Sequence, residues 1–222
     1  MTRENIVNLI IDNIEGGYYH PDMKDYLRNG DRLGISGETM FGIDRVNGAP
    51  LFATGTPCAI QFWQIVDDNF GSHHADTSYY GDKADGTMKT PASVGERLRP
   101  LAAAMISDAF DRNSQFLSEG ALQMVLNNPR LLLQFLYATY NGSGNFKTFA
   151  NVMNAAYANG ERSATAFWNL IQEKRRSKGG LFAEGADKLD AIAATLPDGG
   201  SGWLWWLLGG IAVSVLIYKM KK

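Results

Sequence analysis

The chain has 222 residues, a formal net charge of -2 and a 45% hydrophobic content. That suits one sizeable domain with an appendage, and it is enough to bury a true core. The balanced charge excludes a general nucleic-acid binder, which carries a basic face, and the single cysteine excludes an intrachain disulfide. Cys58 reads as a small core residue, because no Cys/His motif lies near it.

Val7, Ile10, Ile11 and Ile14 fall at i, i+3, i+4 and i+7, which predicts an amphipathic helix. Thr2 suits its N-cap, and Gly16-Gly17 ends it. Glu15 therefore falls in the last turn, beside the apolar face. There the unpaired carbonyls and partial desolvation disfavour a carboxylate and raise its pKa. A carboxyl group protonated near neutral pH is what a general acid requires. The plainer reading is a solvated carboxylate before an ordinary glycine cap. This N-terminus lacks a basic region followed by an apolar run and a small-residue cleavage site, so no cleavable signal peptide is expected.

Residues 18 to 58 are rich in turn formers, among them Pro21, Asn29-Gly30-Asp31, Gly34, Gly37, Asn47-Gly48 and Pro50, and little regular structure is expected there. Thr56-Pro57 followed by Ala59 to Asp67 predicts a helix. Residues 69 to 95 are the least ordered by composition. His73, His74 and Asp76 lack the spacing of a zinc site and read as a polar surface loop, with Tyr79-Tyr80 offering stacking surface for sugars. From Val94 the pattern is helical for about a hundred residues. Gly120, Asn127-Asn128-Pro129, Asn141 to Gly144 and Asn159-Gly160 punctuate it, and Asp187 to Leu196 reads as a final short helix or the start of a tether. Glu173 to Lys178 reads as a solvated basic helix end.

Trp203 to Tyr218 is free of charge, and Lys219, Lys221 and Lys222 close it. As a helix it would span about 24 Å, with Trp203, Trp205, Trp206 and Tyr218 suited to the two interfaces. The expectation is a single-pass C-terminal membrane anchor, at residues 203–222, after a glycine-rich linker at 197–202. The lysines favour a cytoplasmic tail, whereas the uncleaved N-terminus would keep the domain on that same side. An internal virion membrane reconciles the two, with the host inner membrane as the other candidate.

Glu15-Gly16-Gly17-Tyr18 after an apolar helix, then Gly37-x-Thr39-x-x-Gly42-Ile43, resembles the opening of the EGGY-type phage N-acetylmuramidases of the lysozyme superfamily. In that family the motif's Glu is the catalytic acid, which the resemblance assigns to Glu15. The family's Asp-Pro-Gly-Gly run is replaced here by Ile35-Ser36-Gly37-Glu38. Ala138 to Gly144 resembles the Ala-Tyr-Asn-Gly turn of goose-type lysozymes and lytic transglycosylases, and Glu173 to Phe182 resembles the Arg-Arg helix of phage lysozymes. The match is specific for about thirty residues and thematic beyond them.

The resemblance implies a mainly α, α+β lysozyme-like domain at residues 1–196, with a small loop or β wall beside a cleft. Glu15 would protonate the β-1,4 oxygen between N-acetylmuramic acid and N-acetylglucosamine. Glu38 and Thr39 would face it as further catalytic residues. Glu38, Asp22 or Asp31 would be the second carboxylate, or Thr39 would hold the water. Alternatively the muramic 6-hydroxyl attacks, as in a lytic transglycosylase. Tyr18, Asp22, Asp31, Tyr137, Tyr140 and Asn141 are the candidate substrate contacts. No metal or organic cofactor is implied. The expected partners are peptidoglycan glycan strands, a lipid bilayer and other virion proteins, with no nucleic acid. The rival expectation is a non-catalytic virion membrane protein that binds glycan through the same fold, and a third is a tail-anchored scaffold with no link to glycans.

Overall fold

A computed structural model describes residues 1–20, 38–45, 55–71 and 90–197. Among them are eight α-helices and one small antiparallel sheet, so the protein is mainly helical. Helix α1, Arg3–Ile10, is capped by Thr2, whose hydroxyl accepts from the Asn5 amide at 3.2 Å. It runs into a single π-helical turn, Ile11–Glu15, which Gly16 closes at φ +71° with its N–H on the Ile11 carbonyl at 3.2 Å. Strand β1 is Tyr18–Tyr19, β2 Thr39–Met40 and β3 Ile43–Asp44, paired in the order β1-β2-β3.

The β2–β3 connection is the two-residue turn Phe41-Gly42, with φ of +53° and +74° and Met40 paired to Ile43. Positive φ at both central residues is the type I′ geometry that matches strand twist, and glycine adopts it without cost. The Gly-x-Thr-x-x-Gly motif thus encodes a hairpin turn.

Helix α2, Pro57–Phe70, begins at the Thr56 cap and outlasts its predicted end by three residues. Then follow α3, Ala92–Asn113; α4, Glu119–Asn127; α5, Pro129–Tyr140; α6, Ser143–Ala158; α7, Ala164–Arg176; and α8, Gly180–Ala193. The final helix starts earlier than the sequence suggests. Helix α5 is buried at every residue from Leu131 to Thr139, the all-round burial expected of a central helix. It packs against α1, α3, α4, α6, α7 and α8. Its N-cap, Asn128, accepts from the Arg130 and Leu131 amides, and Pro129 occupies the first turn, where its missing N–H costs nothing.

Gly120 does not punctuate the helices. It lies inside α4, where a Cβ would meet the Tyr157 hydroxyl oxygen at 2.2 Å, so it is there to admit that ring. The expected membrane localisation is corrected. Among the described residues no helix is long and apolar enough to cross a membrane, and segment 203–222, on which the anchor rested, lies outside them.

Candidate active site

Glu15 ends the π turn half-buried, with its carboxyl laid against the hairpin turn. A Cβ on Gly42 would fall 2.2 Å from Glu15 Oε2 and 2.7 Å from its carboxyl carbon. So the two motif segments meet: the glycine of the second makes room for the acid of the first. The surrounding protein strips water from the carboxyl and lifts its pKa from 4.5 to about 7, while the Lys188 ammonium on α8 pulls weakly the other way. Burial is the dominant cause, so the carboxyl holds its proton near neutral pH. That state serves proton donation to a ligand.

Tyr137 and Tyr140, from the last turns of α5, lie within electrostatic reach of Glu15, and both hydroxyls are pushed up, first by burial and then by that carboxylate. Their rings are tilted to each other at 6.5 Å. Asn141 closes α5 by donating to the Tyr137 carbonyl at 2.9 Å, and Gly142, at φ +87°, turns the chain into α6. The structure therefore brings Glu15, Tyr137 and Tyr140 together from opposite parts of the chain, with Asn141 shaping the corner beside them.

Glu38 has a different environment. Its Oε1 accepts from the Tyr18 hydroxyl at 2.9 Å and its Oε2 from Arg45 Nη1 at 2.8 Å. Arg45 also grips both carboxylate oxygens of Asp67 on α2, at 2.6 and 2.8 Å, and stacks over the Trp63 ring. These bonds, to Asp67 first, push the guanidinium pKa further up. Glu38, expected opposite the acid, thus has both oxygens engaged in a brace between the sheet and α2.

Tyr18, expected as a substrate contact, is enclosed. It is 0% exposed, its ring stacks on Phe70 at 4.2 Å, and burial raises its hydroxyl pKa, so it has no face to offer a substrate. Thr39 is 7% exposed in β2, paired to Tyr19 and Asp44, three residues from Gly42 on the same hairpin. Asp22, Asp31 and the His73-His74 loop lie outside the described residues.

Two features escaped the sequence reading. Arg99 of α3 donates to Asp12 in the π turn at 2.5 Å and lies over the Phe41 ring at 5.5 Å, so it ties together the two pieces that enclose Glu15. Arg175, expected on a solvated helix end, is 0% exposed. It is sandwiched against the Tyr137 and Phe149 rings at 4.9 and 4.5 Å and donates to Gln134 Oε1 at 3.1 Å. Burial lowers its pKa to about 10, and it fixes Tyr137 from behind. Its helical spacing from Phe167 and Ile171, at i+8 and i+4, was the available signal.

Glu15 does not line the clefts at α4–α7, along α7 or beside Arg45 and Trp63. Burial and motif geometry, not cavity size, mark the Glu15 site. Neither a protein-family model, nor a curated protein, nor a solved structure matches this chain, so its functional reading rests on the residues themselves.

Proposed function

We propose that the protein is a lysozyme-like glycosidase of bacterial peptidoglycan, cleaving the β-1,4 bond between N-acetylmuramic acid and N-acetylglucosamine with Glu15 as general acid. The observation that carries this reading is the Glu15 carboxyl itself, lifted to about 7 by burial against the Gly42 turn. Glu15 gives its proton to the glycosidic oxygen as positive charge spreads over the muramic C1 and ring oxygen. Tyr137 and Tyr140 form the neighbouring wall, and Arg175 holds Tyr137 in place.

The engagement of Glu38 by Arg45 and Tyr18 favours a single-acid route. In that route the muramic 6-hydroxyl attacks C1, its proton returns to the Glu15 carboxylate, and the product is a 1,6-anhydro end. Clearing of purified peptidoglycan by wild type but not by Glu15→Gln tests the acid. Mass spectrometry of the released fragments tests the route. Anhydro ends are expected, and reducing ends would assign the attack to water instead. Binding without clearing by the wild type would favour the non-catalytic glycan binder, a reading to which the missing Asp-Pro-Gly-Gly run lends weight.

A further inference from the structure

Helices α4 and α7 enclose a second recess, far from Glu15. Gly120, Gln123, Met124 and Asn127 fall at i, i+3, i+4 and i+7 on one face of α4, and Ala164, Thr165 and Trp168 face them from α7. Tyr157 and Arg162 complete a cleft of about 840 Å³. A second cleft of about 620 Å³ continues along α7 through Gln172, Glu173 and Arg176. The two adjoin at Trp168, and their linings follow α7 from Thr165 to Arg176, about 16 Å of helix. An elongated recess of this kind fits a linear polymer better than a compact ligand.

Its chemistry narrows the polymer. The charged side chains along it are Glu119, Arg130, Arg162, Glu173, Arg176 and Asp190, three of each sign, so the groove has no field to select a polyanion or a polycation. What it offers instead are exposed side-chain amides at Gln123 and Asn127 and partly exposed aromatic rings at Tyr157 and Trp168. Those rings are held firmly. Trp168 Nε1 donates to Asp190 at 3.0 Å, Gln172 donates to the same carboxylate at 2.7 Å, and the Arg162 guanidinium covers one face of Tyr157 at 3.7 Å. Tyr157, held between Arg162 and Gly120, is a wall of the groove. The fixed Trp168 ring beside amides suits a neutral chain of N-acetylated sugars, whose ring C–H faces stack and whose hydroxyl and acetamido groups hydrogen-bond.

We infer that the α4–α7 groove is a second glycan-binding site, separate from the Glu15 site and able to hold a strand of N-acetylated sugars. The inference rests on the proposed glycan substrate but not on cleavage. Asn128 and Arg130 border the groove at the start of α5, whereas Tyr137 and Tyr140 stand near Glu15 at its end, so about 15 Å of helix separates the two sites. A chain held at the groove keeps peptidoglycan at high effective concentration around the acid.

The test uses the full chain carrying Glu15→Gln, so that the polymer stays intact. Cosedimentation with purified sacculi and calorimetric titration with tetra-N-acetylchitotetraose are compared before and after adding Trp168→Ala or the pair Gln123→Ala and Asn127→Ala. Melting curves report folding in each case. The exposed pair on α4 keeps the test valid if loss of Trp168 unfolds the domain. The inference expects sacculus affinity to fall about tenfold for Trp168→Ala and about threefold for the pair. Unchanged affinity in both variants, or no binding by the Glu15→Gln parent, overturns it. If groove-dependent binding is found but the wild type clears no peptidoglycan, the groove stands and the glycosidase reading falls.

Discussion

Glu15 and Glu38 are the same residue type, both beside the short hairpin, yet their surroundings differ in kind. Glu15 lies against Gly42 and near the Tyr137 and Tyr140 hydroxyls, with the Lys188 ammonium acting on it at a distance. Glu38 has an arginine on one oxygen and a tyrosine hydroxyl on the other. Withholding a counter-charge while removing water keeps a proton on one carboxyl. Supplying a guanidinium makes the other a strut. The difference teaches that partner geometry, rather than nearness to a motif, decides how a carboxyl is held.

The contrast breaks most sharply at Glu15. Glu15→Gln keeps the shape and removes the proton donor, so kcat on peptidoglycan should fall by about 10²–10⁴, read by turbidity clearing. Gly42→Ala comes next. The new methyl would occupy the space of the carboxyl, which must swing aside, and a φ of +74° strains any residue with a Cβ. Activity should drop by at least about tenfold and stability by about 1–2 kcal/mol, measured by urea unfolding.

The pH dependence sharpens the same contrast. The acid must be protonated, so kcat/KM should fall about tenfold per unit once pH passes about 7. Stability follows the same sign. The folded state holds the Glu15 proton more tightly than the unfolded chain, so the native carboxyl costs stability as pH rises from 4.5 through about 7. The loss is at most about 3 kcal/mol. Glu15→Gln should therefore melt above wild type at pH 8 and close to it at pH 4, by calorimetry.

Glu38→Gln should do the opposite of Glu15→Gln. It weakens the Arg45 brace by about 1 kcal/mol and leaves kcat within about fivefold of wild type. A larger loss of kcat would return Glu38 to the chemistry. Arg99→Ala should have the smallest effect, about 0.5 kcal/mol by thermal unfolding, because the Arg99–Asp12 pair is partly solvated.

Local signals were legible where the cause is local. The Thr2 cap, the Gly16 stop and the helical stripes all appear in the structure because caps and periodicity act within a few residues. The roles of Glu38 and Tyr18 were not legible, since Asp67 and Phe70, which complete the brace, arrive from another helix. Arg175 was misread for a related reason. A basic cluster at a helix end is ordinarily wet, and only the packing of α5 and α6 against α7 shows that one of its members is enclosed. The π turn was invisible to a 3.6-residue period, which described Ile14 and Glu15 as ordinary helix.

That wide turn has a consequence for how the site tolerates change. A five-residue loop of backbone spends one residue more than an α-helical turn, so the direction in which Glu15 leaves the chain depends on a count and not on a neighbour. Were the same residues to wind as an ordinary α-helix, Glu15 would leave the chain about 100° away from the Gly42 turn. A chain of identical composition would then be disarmed by its winding alone.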